Sequence, residues 1–90
     1  MKRIDFHKID FEKMKIVDKY EYHSEDYHSY HLEFKLPEFP NESFLVSISV
    51  WGNEWSFNHI FQMHKDTKYI LDSELKEKFI SALKKVLAIT

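Results

Sequence analysis

Cysteine is absent from this 90-residue chain, glycine occurs once and proline twice. Without cysteine there is neither a disulfide nor a thiolate metal site, so the fold has to be held by its own core. So little glycine and proline excludes a loop-rich scaffold and a disordered tract. No apolar run approaches the roughly 20 residues that span a bilayer. The charged start, Met1-Lys2-Arg3, is not followed by the apolar stretch of a secretory signal, and a cytoplasmic location is expected. Lysine and arginine are missing between Leu36 and His64, where Glu38, Glu42 and Glu54 stand. With a net charge of −2 the chain has no long-range pull toward nucleic acid or an anionic membrane.

What is present in quantity is aromatic surface: eight Phe, five Tyr and two Trp, enough to build a core in one short domain spanning residues 1–90. The clearest element is a C-terminal amphipathic helix. Asp72 or Ser73 caps it, and Glu74 and Glu77 occupy its first turn, where the helix dipole favours anions. Leu75, Phe79, Ala82, Leu83, Val86 and Ile89 or Thr90 recur at three- and four-residue steps, widened by Ile80 and Leu87. Lys76, Lys78, Ser81, Lys84 and Lys85 fill the other side.

Period-two patterning predicts two hairpins. In the second, Gly52-Asn53 suits a two-residue turn and sets Trp51 opposite Glu54. Val50 then meets Trp55, Ile48 meets Phe57, Val46 meets His59 and Phe44 meets Phe61, all on the core face. The first hairpin runs from Met14, Ile16, Tyr20 and Tyr22, through Ser24-Glu25-Asp26, to Tyr30, Leu32, Phe34 and Leu36. Pro37 and Pro40 mark where pairing stops between the hairpins. Residues 3–12 fit either a strand or a short helix. The expected fold is α+β: an antiparallel meander sheet of four or five strands with the C-terminal helix packed on one face.

Histidines are the first candidates for chemistry. His23, His28 and His31 crowd into ten residues, but in an extended strand His28 and His31 point to opposite faces. Zinc needs three or four converging ligands, so a polar turn is the better reading and no metal or other cofactor is expected. His59 falls on the predicted apolar face, with no Ser, Asp or Glu sharing that face of its hairpin to make it a general base. No P-loop, nucleophile elbow, dinucleotide fingerprint or H-E-x-x-H is present, and the chain reads as non-catalytic.

The outer face of the second hairpin says more. Leu45, Ser47, Ser49, Trp51, Glu54, Ser56, Asn58, Ile60 and Gln62 carry a single charge, where a solvated strand face usually carries Lys, Glu, Thr or Arg. Two explanations compete: cover from within the chain, by residues 1–12 or a curled sheet, or a contact surface anchored by Trp51. The expected binding residues are Leu45, Ser47, Ser49, Trp51, Glu54, Asn58 and Ile60. Mild acidity, compactness, the lack of a catalytic motif and abundant Tyr and Trp point to a protein partner, as in inhibitors and immunity proteins, with self-association as another way to cover the face. A single-stranded nucleic-acid binder is the alternative. Four strands followed by one helix is similar in topology to single-strand binders of the Whirly type, and the Tyr-rich first hairpin could stack bases.

Overall fold

The computed structural model describes the backbone of residues 4–89 and the side chains of residues 4–88. Two 3-10 turns, Phe6–Lys8 and Phe11–Lys13, lead into β1 (Lys15–His23), β2 (Tyr27–Leu36) and β3 (Phe39–Trp51). Three short strands follow, β4 (Glu54–Ser56), β5 (Ile60–Gln62) and β6 (Thr67–Tyr69), and then the helix α1 (Ser73–Ile89). All pairings are antiparallel, in the order β1-β2-β3-β5-β6 with β4 also on β3. This is the expected α+β meander, with its fourth strand broken into β4 and β5. No helix of the described residues is long and apolar enough to cross a membrane.

The helix begins as its sequence dictates. The Asp72 carboxylate accepts from the Leu75 N–H at 2.9 Å, and that bond is the main reason its carboxyl sits below the usual carboxylate range. Leu75, Phe79, Ala82 and Leu83 are buried, and Ile80, Val86 and Leu87 pack at the margin. Phe79 is the centre of this packing, with Phe11, Phe34 and Phe57 rings at 5.0, 5.6 and 5.2 Å. The side chains of Ile89 and Thr90, expected to end the stripe, lie outside the described residues.

The N-terminal segment is neither strand nor regular helix. Asp5 and Asp10 each accept a backbone N–H two residues on, and each caps one 3-10 turn. Those turns aim Phe6 and Phe11 into the core on the helix side of the sheet, Phe6 against Phe44 and Tyr69, Phe11 against Phe79. Lys85 of the helix reaches back to Glu12.

The turn at Gly52 forms as expected, with φ +58° at Gly52 and Trp51 paired to Glu54. Beyond Trp55 the expected register fails. Val46 pairs with Ile60 and Phe44 with Gln62, one residue displaced from the predicted partners His59 and Phe61. Asn58 and His59 form an irregular step between β4 and β5, so Phe57 and Ile60 both turn inward. Two features favour this slip: the branched Ile60 becomes fully buried, and the Gln62 amide finds a donor in the buried Tyr69 hydroxyl at 2.9 Å. His59 and Phe61 are thereby half-buried on the outer side, not in the core.

Two more breaks depart from strict alternation. An irregularity in β1 between Ile16 and Asp18 leaves Val17 unpaired and reverses the phase. Ile16 faces inward opposite Phe34, whereas Tyr20 and Tyr22 turn outward. Pairing also resumes at once after Pro37-Glu38, with Leu36 opposite Phe39. Pro40 therefore sits inside β3 beside a register shift, a place where its missing N–H is tolerated.

Candidate functional site

The helix, the N-terminal turns and the core occupy one side of the sheet, and the described residues leave the other side uncovered. Residues 1–12, one of the two candidate covers, lie on the helix side as far as they are described. Cover from the N-terminus is therefore ruled out for the described part.

The register builds the outer face in rungs. Tyr22, Ser29, Ser49 and Ser56 form one rung, Tyr20, His31 and Ser47 the next, and Asp18, Glu33, Leu45 and Phe61 a third. At the tip, Tyr27, Trp51 and Glu54 stand side by side. The Gly52 N–H donates to the Asp26 carbonyl at 3.1 Å, tying this turn to the β1–β2 turn. Exposed here are Tyr20 at 68%, Trp51 at 61% and Tyr22 at 52%.

These rings are held. Trp51 lies 4.5 Å from Tyr27, whose hydroxyl is 3.4 Å from Ser49 Oγ, and Tyr22 lies 6.2 Å from Tyr27 on the other side. His31 Nδ1 and Ser47 Oγ share a hydrogen bond at 2.9 Å, with Tyr20 tilted over the His31 ring at 6.1 Å. The serines, too small to shield the rings, leave a flat platform.

Of the seven expected binding residues, Leu45, Ser47, Ser49, Trp51, Glu54 and Asn58 lie on this outer side. Ile60 does not: it is fully buried in the core, because the Asn58-His59 step carries it to the inner face. Sequence reasoning missed Tyr20, Tyr22, Tyr27 and His31. The first two were hidden by the β1 irregularity, but Tyr27 was legible, since it immediately follows one turn as Trp51 immediately precedes the other.

Charge on the platform is mostly negative. From the Asp18 rung to the tip the register places the carboxylates Asp18, Glu33 and Glu54 on this face and one cation, Lys68, which pairs with Phe61 at its far end. Glu25 and Asp26 add carboxylates in the adjoining turn. The lysines of the helix lie on the far side, where Lys84 sits over the Trp55 ring and Lys76 over Phe57.

Chemically, the His31–Ser47 bond is the nearest approach to a nucleophile and base. No carboxylate holds the His31 ring among the described residues, and both groups are on an open sheet surface. His59 lines an open groove of about 350 Å³ with Leu45, Ser47, Asn58 and Phe61. His23 and His28 hydrogen-bond through their Nδ1 atoms at 2.7 Å on the inner side, away from His31. No three His, Asp or Glu side chains converge as metal ligands among the described residues.

Comparison with protein-family models, with curated proteins and with solved structures finds no match to this chain.

Proposed function

We propose that this chain is a small cytoplasmic, non-catalytic protein-binding module. Its outer sheet face grips a larger partner with a basic surface, and so inhibits or neutralises it. The observation that carries this reading is the exposed Trp51 ring braced 4.5 Å from Tyr27, beside Tyr22 and Tyr20. Large aromatics supply most of the binding energy at protein interfaces, and a ring already fixed by its neighbours loses little rotamer freedom on docking. Serines between the rings offer hydrogen bonds without bulk, the composition of an adaptable contact surface. The carboxylates Asp18, Glu33 and Glu54 outnumber Lys68 on this face and favour a partner of positive surface, because like charges across an interface are costly.

Single-stranded nucleic acid is the second reading, supported by the same exposed tyrosines, on which bases could stack. A phosphate backbone laid across the platform would meet those three carboxylates against the single cation Lys68. The test uses wild-type and Trp51→Ala chains side by side as bait in native lysate. A protein of basic surface retained by wild type and lost by the variant supports a protein partner. Retention of wild type on single-stranded oligonucleotide, collapsing as salt is added, would replace that reading with the second.

A further inference from the structure

The strand β1 forms one edge of the sheet, and three of the chain's large exposed apolar residues, Val17, Tyr20 and Tyr22, lie on it. From Val17 to His23 every residue is exposed, so neither face of this stretch is covered. Its backbone polarity can be assigned. The Ser24 N–H donates to the Tyr27 carbonyl at 2.8 Å, which makes Tyr22 and Tyr20 the hydrogen-bonded partners of Ser29 and His31. Lys19, Glu21 and His23 therefore turn their N–H and C=O groups away from β2. The Lys19 N–H accordingly finds only a local acceptor, the Asp18 carboxylate at 2.9 Å. Among the described residues this is a sheet edge with unused hydrogen bonds.

A second copy fits it. In an antiparallel pair the outward groups of Lys19, Glu21 and His23 must face one another, which restricts the register to steps of two. Centring the two-fold axis on Glu21 sets two glutamates opposite each other, and centring it on Lys19 sets two lysines opposite. Centring it on Tyr20 sets Lys19 against the partner's Glu21 and Glu21 against the partner's Lys19. The same register stacks Tyr20 with the partner's Tyr20. Within one chain Lys19 Nζ already lies 3.5 Å from Glu21 Oε1, so four alternating charges would close into a ring.

We infer that β1 pairs antiparallel with β1 of a second copy about Tyr20, extending the sheet across a two-fold axis. That axis runs perpendicular to the sheet, so both aromatic platforms lie on the same side and form one continuous surface. The inference rests on the edge backbone and its charges, and stands or falls apart from the partner proposed for the platform.

Charge-swap variants followed by sedimentation test it. Wild type is expected to form a reversible dimer as concentration rises. Lys19→Glu and Glu21→Lys each set like charges opposite and are expected to weaken it by about tenfold or more. The double variant Lys19→Glu/Glu21→Lys restores both pairs with reversed signs and is expected to recover most of the wild-type affinity. Both side chains are partly exposed and outside the core, and circular dichroism of each variant verifies the fold. A wild type that stays monomeric, single swaps that leave a dimer unchanged, or a double variant as weak as the singles would each overturn the pairing.

Discussion

The Tyr69 hydroxyl donates a hydrogen bond of 2.9 Å to the Gln62 side-chain oxygen inside the core. This bond permits an amide to occupy the strand position opposite Phe44, and so permits the register that carries Ile60 inward. Tyr69→Phe keeps the ring but leaves the buried Gln62 oxygen without that donor. The expected loss is about 1–3 kcal/mol in denaturant unfolding, the cost of an unsatisfied buried polar group. An unchanged midpoint would show that the bond does not hold the register.

Phe79→Ala removes the ring on which Phe11, Phe34 and Phe57 converge. Truncating a buried aromatic costs about 3–5 kcal/mol, a large part of the stability of a domain this size. The variant is expected to be largely unfolded or to melt far below wild type by circular dichroism. A small shift would mean that the helix does not seat on the sheet through this residue.

Gly52 adopts φ +58° with open space around the position of a Cβ, so strain comes from the backbone alone. Gly52→Val is expected to destabilise by more than about 1 kcal/mol, because a branched residue is disfavoured there. A neutral result in thermal unfolding would contradict the tight Trp51–Glu54 turn.

Acid acts on the helix cap. The Leu75 N–H, and secondarily His7, hold the Asp72 carboxyl below its usual value. Its contribution to stability is therefore complete above the unfolded-state pKa and is lost as pH falls through the lower folded value. Asp72→Ala is expected to lower the melting temperature at neutral pH, and the gap to wild type is expected to close as pH falls through that lower folded value. A gap that persists undiminished in acid would rule out the charged cap.

Helix, turn and the order of strands were legible because each rests on local rules: a capping Asp72, a three-four apolar stripe, and Gly52 where φ must be positive. What alternation could not show were the interruptions. Val17 and the Asn58-His59 step each reverse which residues face the core, and the second is favoured by a contact to Tyr69, which lies in a strand the pattern left unassigned. The β1 reversal moved Tyr20 and Tyr22 onto the platform, and the second took Ile60 from it. Trp51, flanking a turn whose chemistry fixed its own register, was placed correctly.

Trp51→Ala is the most direct measurement, because Trp51 is 61% exposed and stands on the opposite face from the core. Surface substitutions usually stay within about 0.5 kcal/mol, so its melting temperature is expected to fall by no more than a few degrees. Binding to the protein partner is expected to weaken by at least about 2 kcal/mol, roughly thirtyfold in Kd. A variant that melts far below wild type while binding that partner equally well would make Trp51 a structural residue and contradict the platform as a contact surface.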